Sequence, residues 1–228
     1  MSSMFFDRSE AGRALARQLA PLALRLPVVL ALPRGGVPVA AEIARELNAP
    51  LDLLLVRKIG VPWQPELAVA AIVDGDHPEV VIDKEVQQEA GVDAAYIEAE
   101  AKRQLIELER RRRVYLGGRQ PVPLLGRTAI VVDDGIATGT TVRAALKALR
   151  RRRPSEVVLA VPVAPHETIE ALRTLVDRVV CLAQPEPFYA IGLYYHDFHQ
   201  MEDEEVISAL SAWAESQSTM PRYPSAAK

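Results

Sequence analysis

The chain carries one cysteine, Cys181, in 228 residues. A disulfide within the chain and a cysteine-based metal site are therefore excluded, and Cys181, inside the apolar run Val179 to Leu182, reads as a packing residue. Aromatic residues are scarce at 5%, so a place where several gather stands out. No apolar run approaches the roughly 20 residues that span a bilayer, and Met1 to Glu10 lacks the apolar centre of a signal peptide. Both absences predict a cytoplasmic protein with no membrane partner. An excess of one charge is also missing: the formal net charge is −3, which gives no general drive toward nucleic acid as a partner. Arginines do cluster at Arg110 to Arg113 and at Arg150 to Arg153, but both groups end helical segments without interleaved aromatics and read as solvated ends that complement the helix dipole. Repeats and low-complexity segments are absent. What is present, 49% hydrophobic and 25% charged residues, suits one sizeable α/β domain.

Hydrophobic patterning orders that domain. Val28 to Leu32 reads as a short buried strand, and Pro33-Arg34-Gly35-Gly36 leads into a helix marked by Val39, Ile43 and Leu47, with Pro38 suited to its first turn. Asn48 to Pro50 stop the helix, and Leu51 to Val56 is the next predicted strand, followed by the cations Arg57 and Lys58. Ala68 to Val73 and Val80 to Ile82, joined by Asp74-Gly75-Asp76, read as an antiparallel excursion. Lys84 to Leu116 is predicted helical, divided near Gly91 and ended by Gly117-Gly118, with acid-first pairs such as Glu98 to Lys102 and Glu107 to Arg111. Strands at Thr128 to Asp133, Val157 to Val161 and Val179 to Leu182, with a helix from about His166 to Val176, complete a sheet with helices on both faces.

The most informative stretch is Ala129-Ile-Val-Val-Asp-Asp-Gly-Ile-Ala-Thr-Gly-Thr-Thr141. A buried strand runs into Asp133 and Asp134, then into a turn of small and hydroxylated residues in which Gly139 can take a positive φ. Val142, Ala145, Leu146 and Leu149 recur at helical spacing, so Thr140 and Thr141 fall at a helix start, where free amides favour a phosphate. The paired acids stand at the ligand-binding edge of an open α/β sheet. The stretch resembles the phosphoribosyl diphosphate (PRPP) motif of the type I phosphoribosyltransferases. The resemblance implies a Rossmann-like parallel sheet flanked by helices, with a helical insertion and a small C-terminal hood. It also implies that Asp133 and Asp134 hold the ribose hydroxyls and touch a metal only indirectly, through PRPP or water, while Ala137, Thr138, Gly139, Thr140 and Thr141 cradle the 5-phosphate.

Three further segments extend the likeness. Arg34-Gly35-Gly36 lies between strand and helix, where bare backbone can approach a phosphate, and resembles the diphosphate loop of the xanthine-guanine members. Arg57-Lys58 resembles the cationic segment of the adenine and orotate members that meets the diphosphate, and Val61 to Pro65 falls where that family has a mobile catalytic loop. Pro185 to Phe198 gathers Phe188, Tyr189, Tyr194, Tyr195 and Phe198, equally suited to base stacking and to hood packing. It resembles the hood of the hypoxanthine-guanine branch, which puts Phe188 or Tyr189 against a base and Asp197 near its edge or a metal. Ala137 stands where 6-oxopurine enzymes carry Asp, which leaves the acceptor open.

The resemblance implies a Mg²⁺-dependent transferase that joins a small nitrogenous base to PRPP with release of diphosphate, using Asp133, Asp134, Arg57 and Lys58, in a homodimer. The alternative is a PRPP-sensing regulator that has lost efficient catalysis. Residues 1–213 are expected to form one domain. Its core covers about 26–182, the helical insertion about 84–118, and the hood the N-terminal segment with 183–213; 214–228 is expected to be a flexible tail.

Overall fold

Runs of apolar residues with no polar alternation require cover on both faces, and the sheet provides it. The computed structural model describes residues 4–74 and 78–218. In chain order the strands are β1 Val28–Ala31, β2 Leu51–Leu53, β3 Val56–Val61, β4 Gln64–Val73, β5 Glu79–Ile82, β6 Thr128–Val132, β7 Glu156–Val163 and β8 Arg178–Ala183. The helices are α1 Arg8–Leu19, α2 Gly36–Glu46, α3 Lys84–Glu89, α4 Ala94–Leu116, α5 Thr140–Leu149, α6 His166–Arg173 and α7 Asp203–Ser218. Five strands form a parallel sheet in the order β2-β1-β6-β7-β8, and β3, β4 and β5 form a separate antiparallel sheet.

Strand alternation divides the core. Val29, Ala31, Ile130, Val132, Val158 and Ala160 face a cluster shared with α1, α2, α4 and α7, while Val28, Leu30, Ala129, Val131, Val157 and Leu159 face α5 and α6. Fully burying such side chains contributes roughly 1.5–3 kcal/mol each, which makes this sheet the stable floor of any site on its edge.

The predicted single strand Leu51 to Val56 is instead two strands. The chain leaves the parallel sheet at Leu54, whose N–H donates to Ala31, and enters the small sheet beyond Leu55, whose carbonyl accepts from Asp74. The antiparallel pairing of β4 with β5 matches the expected excursion, although Gly75, Asp76 and His77 lie outside the described residues. The insertion divides around Gly91 into α3 and α4, and ends at Gly117 with φ +56°. Residues 214–218, placed in a flexible tail on sequence, continue α7; the remainder of that tail lies outside the described residues.

The arginine group at the end of α4 is not uniformly solvated. Arg110 and Arg111 pair with Glu107, but Arg112 turns inward to Asp52 and Asp74. Asp52, 2% exposed, also accepts from the Val122 and Leu53 amides, so the buried carboxylate is matched in charge and in hydrogen bonds.

The terminal regions meet over the carboxyl edge of the sheet. Phe5 bridges in parallel to Tyr195, the Phe5 amide donates to the Tyr194 carbonyl, and the His196 and Asp197 amides donate to Phe5 and Phe6.

Candidate active site

Two strand-to-helix loops lie side by side because β1 and β6 are hydrogen-bonded neighbours, with Ala31 opposite Val132. The β1 loop packs directly on the acids that end β6. A Cβ at Gly35 would lie 1.9 Å from Asp134 Oδ2, and one at Gly36 would lie 2.7 Å from the Val132 carbonyl oxygen. Only bare backbone fits there. The Pro33–Arg34 peptide is cis.

Gly139, with φ +72°, is the residue that reverses the chain into α5, and no side chain caps that helix. Its first amides are therefore available to an anion, and Ala137 and Thr138 are exposed beside them. The turn is held from outside by Thr168 Oγ1, which donates to the Ala137 carbonyl at 2.8 Å. Thr138 and Thr140 hydroxyls lie 3.3 Å apart, and Thr141 is half-buried. The five predicted phosphate-loop residues are thus contiguous around an uncapped helix start.

The acids differ in surroundings. Asp134 is buried and accepts a 2.7 Å charged hydrogen bond from Arg8 Nε, while its carbonyl accepts from the Tyr195 hydroxyl at 2.6 Å. Arg8 in turn donates to the His199 carbonyl at 3.1 Å and lies 4.1 Å above the Phe198 ring. Asp133 accepts the Asp134 amide at 2.9 Å. Burial, and then the charge of Asp134, push the Asp133 carboxyl well above the usual carboxylate range. Burial also pushes the Tyr195 phenol up, so it stays a donor.

The predicted cations lie apart. Arg57 and Lys58 are successive residues of β3 and point to opposite faces of the small sheet. Arg57 Nε donates to Gln104 on α4 at 2.9 Å, whereas Lys58 borders a small cavity with Thr140, Arg143 and Lys147 of α5. Of the two, Lys58 is the one beside the phosphate-loop helix. Arg34 is engaged at the start of α7, 3.5 Å from Glu202, which precedes the helix, and 3.8 Å from Asp203. Val61 to Pro65, placed on sequence where the family has a mobile loop, comprises the end of β3, the turn Pro62–Trp63 and the start of β4.

Phe188 and Tyr189 line a cavity of about 510 Å³ together with Ala137 and Thr138, so the aromatic segment opens beside the phosphate turn. Phe188 stacks on Tyr194 with ring centroids 5.6 Å apart, and Tyr189 is exposed. Asp197 is not brought to this cavity. Its carboxylate binds His199 Nδ1 at 2.9 Å, and Glu205 holds the other ring nitrogen at 2.7 Å, which raises the His199 pKa.

Arg8 and Tyr195 are the residues that sequence reasoning missed. Their only signal was a charged residue at the start of an amphipathic helix and a tyrosine within an aromatic cluster, neither of which names Asp134 as partner.

The phosphoribosyl transferase domain model matches residues 10–199. The chain belongs to that family. Two curated phosphoribosyl transferases, provisionally so named, from two strains of Mycobacterium tuberculosis are each 49% identical to it over 207 residues. Those 207 residues are 91% of this chain and 46% of each relative, so the chain spans about half the length of the curated relatives it matches. The crystal structure of TT1426 from Thermus thermophilus shares 44% identity, covers 92% of this chain and 98% of its own, and superposes with a TM-score of 0.82. The family match spans both loops, the Asp pair, and the aromatic segment through His199. Arg8 lies just outside it. No helix among the described residues is long and apolar enough to cross a membrane.

Proposed function

We propose that this domain transfers the 5-phosphoribosyl group of PRPP to a small nitrogenous base and releases diphosphate. The observation that carries the reading is the contact of the two loops: the Gly35 backbone seated on the Asp134 carboxylate, with the uncapped start of α5 beyond. A ligand phosphorylated at both ends, with hydroxyls between, matches that layout. The amides of Thr140 and Thr141 take the 5-phosphate, Asp133 accepts from the ribose hydroxyls, and the Gly35-Gly36 backbone approaches the diphosphate. Bond cleavage at the ribose C1 leaves cationic character on the sugar, which the neighbouring carboxylates stabilise. No covalent nucleophile is required.

Among the described residues no three His, Cys, Asp or Glu side chains converge into a metal cage. The acids therefore suit Mg²⁺ only as an ion chelated by PRPP oxygens and touched by Asp133 and Asp134 through sugar or water. When bound, it would neutralise charge on the departing diphosphate.

A second reading, a PRPP-responsive binding protein, is favoured by one observation. Arg34 and Arg57 are both engaged by groups of the protein itself. Calorimetric titration of PRPP with and without Mg²⁺, followed by a diphosphate-release assay on a panel of bases, separates the two. Mg²⁺-dependent binding with release on a base supports transfer, and binding without release on any base supports the sensor. No heat of PRPP binding would refute both.

A further inference from the structure

The charged side chains that line the cavity beside the phosphate turn are acidic. Glu167 from the first turn of α6 and Glu186 from the segment after β8 border it, with His166 between the phosphate turn and Gln184. His166 Nδ1 lies 2.9 Å from Gln184 Oε1. A carbonyl oxygen can only accept, so Nδ1 is the donor of this pair, and in the matching neutral tautomer Nε2 is an acceptor. Among the described residues, no lysine or arginine lines this cavity. The Thr138 and Tyr189 hydroxyls, the remaining polar groups of the lining, can donate or accept, and that of Thr138 lies 3.3 Å from that of Thr140. Two exposed glutamates and an imidazole therefore border the cavity walled by Phe188 and Tyr189.

We infer that this cavity selects an uncharged base that offers exocyclic amino groups, an aminopurine or aminopyrimidine, over its oxo counterpart. The inference rests on the phosphoribosyl-transfer reading for the orientation of the ligand, with its phosphate at Thr140 and its base toward Phe188. An amino group donates to Glu167, Glu186 or His166 Nε2. A carbonyl in the same place opposes lone pair to lone pair and makes no hydrogen bond to these acceptors. A carboxylated base is repelled outright, since it would set a third anion beside Glu167 and Glu186. The volume of about 510 Å³ accommodates a purine as readily as a pyrimidine.

The test titrates nucleoside 5′-monophosphates in matched pairs that differ only by amino against oxo, AMP with IMP and CMP with UMP. Wild-type protein is compared with Glu167→Gln and Glu186→Gln, and PRPP is titrated in parallel. The expected result is at least about tenfold tighter binding of AMP than IMP and of CMP than UMP, the ratio that one lost hydrogen bond of about 1.4 kcal/mol gives. One or both glutamine variants should reduce that ratio by raising affinity for the oxo member. Equal or inverted preference in wild type, preference unmoved in both variants, or no binding of any of the four nucleotides overturns the inference. An amino preference without PRPP binding keeps it and refutes phosphoribosyl transfer. PRPP binding without the preference does the reverse.

Discussion

Replacing Arg8 by Ala should release the chain termini from the acidic edge of the sheet. Arg8 is 8% exposed and Asp134 9%, with 2.7 Å between Nε and Oδ2, so the pair is shielded from water and weakly screened. Removing one partner of such a pair costs about 3–5 kcal/mol, because the carboxylate left behind is buried and uncompensated. Loss of the stacking on Phe198 adds roughly 1 kcal/mol. At about 2–4 °C per kcal/mol for a domain of this length, the melting temperature should fall by roughly 10 °C or more. The informative assay is a double-mutant cycle in denaturant or heat: wild type, Arg8→Ala, Asp134→Asn and the double variant. The double variant should be little worse than the poorer single, giving a coupling of roughly 2 kcal/mol or more. Arg8→Lys keeps the charge but loses the planar fork and the stacking, and should recover only part of the loss. If Arg8→Ala melts within a degree or two of wild type, or the cycle is additive, the assignment of Arg8 as the residue that positions Asp134 is wrong.

Gly35→Ala introduces a methyl group 1.9 Å from Asp134 Oδ2, so the loop or the carboxylate must move. PRPP affinity should fall at least about tenfold with the fold retained by circular dichroism, and unchanged affinity would refute the close packing of the two loops. Arg112→Ala removes the cation that matches Asp52, 2% exposed, and should cost about 3–5 kcal/mol in denaturant unfolding, where a surface arginine costs under about 1. The Asp133 carboxyl has its folded pKa raised above the unfolded value near 3.8, so its favourable contribution is complete below that value and is lost as pH rises through the folded pKa. Wild-type stability should therefore decline with pH across that window relative to Asp133→Asn, which should be the more stable protein at neutral pH and the weaker binder of PRPP. Parallel stability curves for the two proteins would show that Asp133 is not the titrating group.

Legibility in the sequence followed the range of the interaction. The runs of β1, β6 and β7 and the turn at Gly139 are local, set by unbroken apolar residues and by one backbone conformation, and they were readable. The division of Leu51 to Val56 was not, because the stretch is apolar throughout and the break at Leu54 and Leu55 depends on bonds to Ala31 and Asp74 that only the folded chain supplies. Strand alternation within β3, which adjacency in sequence does not reveal, also sends Arg57 and Lys58 to different helices. Arg112 was hidden among solvated neighbours of the same type. Arg8 lies 126 residues from Asp134, and nothing in the α1 periodicity distinguishes it from any other polar residue at a helix start.

The contacts also divide the labour within the acid pair in a way that adjacency in sequence conceals. Asp134 has its charge met by Arg8, its carbonyl met by Tyr195 and its carboxylate pressed against the Gly35 backbone. It is already satisfied before any ligand arrives, and its contribution on the proposed function is to fix the diphosphate loop against the sugar edge. Asp133 is in the opposite position. Burial and the neighbouring negative charge disfavour its ionised form, and the hydrogen bond it receives from the Asp134 amide offsets this only in part. A carboxylate held in that condition gains most from new donors, and a ribose brings two hydroxyls. Sugar binding should therefore lower the Asp133 pKa and take up a pH dependence of its own, with affinity for PRPP rising as Asp133 ionises, while substitutions at Asp134 act first on the geometry of the loop and on stability.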